Sequence, residues 1–560
     1  MKALLLTGVV CLALSTGPWA GAPAQTIQPG RETRSTTSTQ HGVENWELLA
    51  PMVVERLDNG MTFLLYPNRR APIFSGVIRF NVGGKDERPG MTGIAHMFEH
   101  MAFKGTRHLG TRDWVAEQGA LKKVEELAYA TDDARNRAIQ LKLSPKQNVV
   151  QRMPLEEAFN QARQAAEQYV VKNEFDEIYS RAGANDMNAQ TASDATTYFV
   201  SLPANQIELW VRMESERLSQ PVMREFYNER DVVMEERRMR NDSSPFGRLW
   251  ELLLASAYTA NSYGYPVIGF ESDIRNLKAT EAYEFFRTHY TPDRAIGVLV
   301  GDIDVAKTRA LLRQYFGPIP ARGKEQIDQH VIPEPPQMGE RRVSLSLSAS
   351  PLLLLAWHKP NLPDPADVRA ELLQQAVAGG RSARWFEKLV KRERLAAEIS
   401  AFTDPGEAQP NLFVIYATPQ GATTLDRLET AVRGEVARLR EEPLGAEELQ
   451  RAKKNLRADT VRTLQTNLGL AEHLAESAQI SGDPYYLERR LRQIEALTAA
   501  DALAFAKQYL IDDNLTVARL AAPPAAAPEQ GVKATGDKPA AKSGTKTPKA
   551  KNGTRRGKTE

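Results

Sequence analysis

Two histidines four residues apart, with a glutamate between them, stand in the run His96-Met97-Phe98-Glu99-His100. On an α-helix, positions i and i+4 share a face one turn apart. Both imidazoles can therefore reach one metal ion, while Glu99 stays beside them. Two neutral imidazoles and a carboxylate suit zinc, and an uncoordinated carboxylate alongside suits a base that takes a proton from water. A catalytic zinc also needs a third protein ligand and one open position. The stretch Glu229-Arg230-Asp231-Val232-Val233-Met234-Glu235-Glu236 offers three glutamates, and helical periodicity separates them. Glu229, Val232, Val233 and Glu236 fall at i, i+3, i+4 and i+7, an apolar stripe with a carboxylate at each end. Glu235 falls with Asp231 and Arg238 on the opposite, water-facing side. Carboxylates on a core-facing stripe are unfavourable unless paired or metal-bound, which singles out Glu229 and Glu236.

The order His-x-x-Glu-His reverses His-Glu-x-x-His and marks the inverzincin zinc peptidases. Before it lie a strand-like run from Phe74 to Val82, the turn Asn81 to Arg88, and Gly90-Met91-Thr92-Gly93-Ile94-Ala95; after it comes Phe103-Lys104-Gly105-Thr106. Together these resemble the M16 peptidases, the family of pitrilysin, insulin-degrading enzyme and the mitochondrial processing peptidase. The resemblance implies one zinc per chain on His96, His100 and Glu236, with Glu99 as the catalytic base. It makes Glu229 a supporting catalytic carboxylate that orients a histidine. It also implies that Asn185 to Thr191, which contains the form Asn-Ala-x-Thr, is an exposed edge strand that pairs with the substrate backbone, with Asn188 and Ala189 as the contacts. Such β-augmentation accepts any extended peptide through its main chain. A β-rich run, Thr196 to Leu202, follows.

The elements that must hold these residues can be read around them. Glu236 follows His100 at a distance well beyond the spacing usual in that family. The excess lies at about 107–183, a charged, Ala- and Gln-rich stretch. Runs such as Ala120 to Ala130 and Leu155 to Val171 read as an inserted helical hairpin, with breaks at Ser144-Pro145 and Met153-Pro154. A helix ending at Tyr290 before a strand from Ala295 is repeated in the second half as a helix ending at Tyr509 before a strand from Leu515. The expected fold is α+β: two homologous α/β-sandwich domains with antiparallel-rich sheets, a zinc-binding one at 45–321 and a second without zinc at 341–521. The Pro-rich stretch 322–340 reads as a linker. The second half has no His-x-x-Glu-His. Its Gly380 to Leu389 is similar to a substrate-binding region of the family, but the tyrosine of active partners falls on Ala397. The resemblance thus implies a second M16-like subunit, in a heterodimer or homodimer, closing a chamber around the peptide.

Met1 to Ala24 has a basic start, a short apolar core and Ala22-Pro23-Ala24, which reads as a cleavable signal peptide; it is too short for a transmembrane segment. Cys11, the only cysteine, lies within it, so disulfides are excluded from the mature chain and a periplasmic or secreted location is expected. Residues 25–44 are a polar linker, and 522–560 read as a disordered basic tail. The tail holds nine basic and three acidic residues, whereas 25–521 hold 62 and 67. The formal charge of +2 therefore belongs to the tail, and no nucleic-acid partner is expected. The function implied is a zinc-dependent endopeptidase acting on extended or unfolded peptides. The alternative is a non-catalytic scaffold that merely holds them, for which inward carboxylates have no use.

Overall fold

The computed structural model describes Leu49 and residues 51–321 and 332–523. The signal-like segment, the 25–44 stretch and the tail from Pro524 lie outside these. Strands β1 (Val53–Arg56), β2 (Thr62–Pro67), β3 (Ile73–Phe80), β4 (Asn185–Thr191), β5 (Thr196–Pro203) and β6 (Ala295–Gly301) form one sheet in the order β1-β2-β6-β3-β5-β4. A second sheet joins β7 (Arg341–Ser346), β8 (Leu352–Lys359), β9 (Ala396–Asp404), β10 (Asn411–Pro419) and β11 (Leu515–Ala521) in the order β7-β11-β8-β10-β9. Apart from the added β1, the two sheets have the same connectivity. The single parallel pair recurs at the same place, β2 with β6 and β7 with β11. The duplication read from the Tyr290 and Tyr509 segments is thus a duplication of whole sheets.

Alternation along the strands supplies two apolar faces. In the first sheet Phe63, Leu65, Phe74, Ile78 and Phe80 join the large core that includes the Ile94–Met101 helix. Leu64, Val77, Val298 and Val300 face the other way, onto Leu470, Ala471, Leu474 and Ala475 of the Asn467–Ser481 helix. The second sheet mirrors this. Leu353, Leu355 and Trp357 enter its own helical core, while Leu352, Leu354 and Ala356 pack on Leu249, Leu253 and Leu254 of the Pro245–Ala257 helix. Each half therefore covers the far face of the other half's sheet with one of its own helices. The near-continuous apolar run of β8 follows, because both faces of that strand are buried.

The first half carries the extra length. The chain between β3 and β6 is much longer than the corresponding stretch between β8 and β11. The difference is made up by helices Trp114–Gln140 and Pro145–Glu167, which pack on each other. Ser144 caps the second through a reciprocal pair with Gln147, as the break at Ser144-Pro145 implies. The break expected at Met153-Pro154 does not occur: the helix continues through Pro154 and packs along the Trp114–Gln140 helix. The insertion is anchored at Arg224, 1% exposed. Its guanidinium grips Glu117 of the inserted helix (2.5 and 2.9 Å) and the carbonyls of Lys104, Thr106 and Leu109.

Leu253→Ala and Leu474→Ala should each destabilise the whole chain by about 2–5 kcal/mol, because each opens a cavity in the exchanged packing. Urea unfolding followed by circular dichroism should show one shifted transition in both cases; a shift confined to a separate, partial transition would contradict the interlock.

Candidate metal and catalytic site

The Ile94–Met101 helix begins at Gly93, whose backbone has φ 86°. A Cβ there would lie 2.5 Å from the Ile268 carbonyl, so the position requires glycine. The buried Glu87 carboxylate accepts the Gly93 and Ala95 N–H groups (2.7 and 2.8 Å), satisfying the exposed start of the helix. The second carrier, Phe226–Arg237, packs against this helix and passes into a π-turn at Arg238–Asp242. Its buried stripe differs from the one expected. Val233 is buried, but Val232 is half exposed. Phe226, Glu229, Val233 and Glu236 make the inward face instead, closed by the buried Arg237, which pairs with Glu251. The two aromatic residues at the start of the helix shift its inward face by about one residue. Glu235 is exposed and pairs with Arg238, as its place opposite the stripe implies.

His96, His100 and Glu236 come together, each offering one ligand atom within 4.8 Å of the others. Glu236 Oε2 faces both imidazoles, 3.4 Å from His100 Nε2 and 3.7 Å from His96 Nε2. Tetrahedral zinc with bonds near 2.0–2.1 Å has ligand–ligand edges of about 3.3 Å, close to the two edges that meet at Glu236 Oε2. Glu229 Oε2 lies 3.3 Å from His100 Nδ1, which sets that ring's tautomer and leaves Nε2 free to act as a ligand. His96 Nδ1 is buried with no hydrogen-bond partner among the described residues, so the protein's own hydrogen bonding does not explain why this ring is inside.

The charges agree with a cation site. Burial and the neighbouring His100 push His96 down to about 3, so it is neutral. Burial opposes a proton on His100, yet hydrogen bonds to Glu229 and Glu236 raise it to about 9: the carboxylates favour positive charge here. Burial works to raise the two glutamates, but His100, with Lys104 beside Glu229 and with His96 and Arg240 beside Glu236, holds both low, Glu236 at about 2. Each glutamate commits its outer oxygen to a cation: Glu229 Oε1 to Lys104 Nζ (2.6 Å), Glu236 Oε1 to Arg240 (2.5 Å). Only Oε2 then turns to the histidines.

Glu99 stands apart from this triangle. Burial raises its pKa against the pull of the Thr191 hydroxyl, which donates to Oε2 at 2.6 Å. Thr191 ends β4, which among the described residues pairs only with β5 and so leaves one edge open. Asn188 and Ala189 lie on this strand, opposite Phe199 and Tyr198. The Ala189 N–H donates to Asn188 Oδ1 at 2.9 Å. Lys104, Thr191 and Arg240 were not singled out by sequence reasoning. Lys104 and Thr191 sit within the motif segments, and Arg240 is i+4 from Glu236, the one spacing signal that points to it.

A family model described as the peptidase M16 inactive domain matches residues 276–456. Over 466 residues the chain is 24% identical to the zinc protease PqqE of Helicobacter pylori, spanning 82% of this chain and 90% of that protein. The crystal structure of a protease from Helicobacter pylori superposes with a TM-score of 0.69 at 23% identity, over 84% of this chain and 99% of that one. The chain is M16-like. The periplasmic protease PqqL of Escherichia coli shares the fold at a TM-score of 0.61 and 17% identity, with 84% of this M16-like chain aligned to 47% of that one. The expected two-sheet α+β architecture is borne out by these neighbours. Among the described residues no helix is long and apolar enough to cross a membrane.

Glu229→Gln should weaken zinc binding by about 10–100-fold, the range for losing a partner that orients a ligand, and Lys104→Ala should shift it in the same direction. Glu235→Ala should leave it unchanged. Competition against a chromogenic chelator measures all three, and equal effects at Glu229 and Glu235 would contradict the arrangement.

Proposed function

We propose that this chain is a zinc-dependent endopeptidase that hydrolyses extended polypeptide. The observation that carries the reading is the convergence of His96, His100 and Glu236 beside a separate buried carboxylate, Glu99, at the end of an open strand edge. His96 and His100 through Nε2, and Glu236 through Oε2, are the residues that would hold zinc. When bound, zinc supplies Lewis acidity that acidifies water and polarises a carbonyl. Glu99 takes the proton from the attacking water and returns it to the leaving amine. Its raised pKa suits a group that must both accept and give back a proton. Thr191 holds its carboxylate in place, and β4 presents the peptide main chain alongside, with Asn188 and Ala189 as contacts. Glu229 keeps His100 oriented.

The competing reading, a peptide-holding scaffold, draws on the match to an inactive domain. That match covers 276–456, whereas every residue of the candidate site precedes it. Lys104 and Arg240 compensate the outer carboxylate oxygens, yet both inner ones turn to largely buried imidazoles, an arrangement for which a scaffold has no use. Resemblance to the family suggests that an arginine and a tyrosine contact the substrate; the tyrosine position here is Ala397, exposed at the start of edge strand β9. We therefore assign those contacts to a second M16-like subunit that completes the chamber. Export to the periplasm rests on the Met1–Ala24 segment and agrees with the likeness to PqqL.

The purified chain should contain about one zinc by mass spectrometry. Glu99→Gln should retain the metal and lose peptide hydrolysis by several orders of magnitude, roughly the contribution of general-base catalysis together with the activated water. A zinc-free protein, or an active Glu99→Gln variant, would refute the assignment. The chain alone should have low activity, which rises when an M16-like partner with the arginine and tyrosine is added. Full activity in a fraction that size exclusion shows to be monomeric would refute the shared chamber.

A further inference from the structure

A cavity of about 580 Å³ lies between the inserted helices, the start of the Phe226–Arg237 helix and the start of the Ala279–His289 helix. Its size is that of a small-molecule pocket. Trp114, Gln118, Leu121, Lys122 and Glu125 line one wall at helical spacing. The opposite walls bring Ala166, Val170, Val222 and Phe226, all buried. The interior is therefore apolar.

The charged groups around it divide into two kinds. Every carboxylate is already engaged. Glu125 accepts from Tyr227 (2.7 Å) and from the Thr280 N–H and hydroxyl (3.0 and 2.7 Å). Glu167 accepts from Asn228 at 2.9 Å, Glu225 pairs with Lys104 at 3.8 Å, and Glu284 accepts from Arg287 at 2.7 Å. Two of the cations are engaged as well: Arg163 by Asn228 and Asp231, and Arg224 by Glu117. Arg107 and Lys122 are different. Both are exposed, and neither has a carboxylate partner among the described residues. Arg107 only lies over the Trp114 ring, 6.0 Å from its centroid. Glu125 and Glu167 keep their charge but have neutral donors on their oxygens, so the charged groups left without a hydrogen bond or ion pair among the described residues are the two exposed cations, beside an apolar interior.

We propose that this cavity is a second binding site, separate from the metal centre, for an apolar chain that ends in a carboxylate. The apolar part would occupy the space between Leu121, Val170 and Phe226, and the carboxylate would meet Arg107 and Lys122. Glu225, Phe226, Tyr227 and Asn228 form part of the wall, one turn from Glu229 on the same helix. An occupant therefore bears on the element that presents Glu229 and Glu236, and it stabilises the docking of the insertion. Two natural sources carry this chemistry: a fatty acid and the carboxyl terminus of an apolar peptide.

The test is calorimetric titration of the full-length chain with decanoate and, separately, with acetyl-Leu-Leu-Phe as the free acid; methyl decanoate and the peptide amide serve as neutral controls. Saturable binding of at least one acid is expected, weakened about tenfold or more in its neutral counterpart, as for loss of a charge-assisted contact. Decanoate alone binding assigns the site to fatty acids, and the peptide alone assigns it to carboxyl termini. The double variant Arg107→Glu/Lys122→Glu, which alters only exposed groups, should weaken binding similarly, and Leu121→Trp should abolish it by filling the space. Both variants should keep the wild-type zinc content, so the outcome is independent of the peptidase reading. Absence of binding by both acids, equal binding of acids and neutral controls, or binding unchanged in the double variant would overturn the proposal.

Discussion

Four ionisable side chains share one small, largely desolvated space: His96, His100, Glu229 and Glu236. Carboxylates withdrawn from water must be compensated, and the surrounding structure is arranged to do this. The outer oxygens go to Lys104 and Arg240, and the inner ones turn to the imidazoles. This division keeps each glutamate directed by one oxygen toward the histidines, and it makes the space between them attractive to a cation. Glu99, raised by burial and hydrogen-bonded by the Thr191 hydroxyl, keeps the higher proton affinity despite the pull of His100 and Arg240 nearby. Two kinds of carboxylate chemistry thus coexist in one site because their neighbours differ.

The metal triangle depends on the contact of two helices that are distant in sequence, and that contact is held by the sheets. The first sheet carries the Ile94–Met101 helix on one face and a helix of the second half on the other. The reciprocal covering of the second sheet by Pro245–Ala257 ties the halves into one framework. The insertion adds two long helices: the buried pair Arg224–Glu117 ties the first to the loop that leaves the histidine helix, and Glu125, Arg163 and Glu167 tie both to the Phe226–Arg237 helix. The same carbonyl contacts fix the backbone of Lys104, so the anchor of the insertion also sets the cation that faces Glu229.

Edge strand β4 has one open side among the described residues, and its last residue, Thr191, touches Glu99. Under the proposed function, an extended chain added to that edge runs towards the proton acceptor. The corresponding strand in the second sheet, β9, is likewise an edge, but no group of three histidine, cysteine or carboxylate side chains at metal-ligand spacing stands beside it among the described residues. The duplicated fold is thus chemically asymmetric.

The histidine pair, Glu99 and the choice of Glu236 over Glu235 were legible in the chain because they depend on helical spacing, which is local. The repeated helix–strand segments revealed the duplication for the same reason, and Ser144 marked the turn between the inserted helices. What the periodicity misjudged, Val232 inside and a break at Pro154, depended on neighbouring helices. Phe226 and Tyr227 are buried at the start of one helix, and the other runs on through its proline while packed on a partner. The exchange of helices between halves, the Lys104 cation on Glu229 and the hydroxyl on Glu99 had no local signal, whereas the Arg240 cation stands i+4 from Glu236. Spacing along one helix decides which residues share a face. Which groups meet that face is decided by strands and helices from remote parts of the sequence, and only the folded chain brings them together.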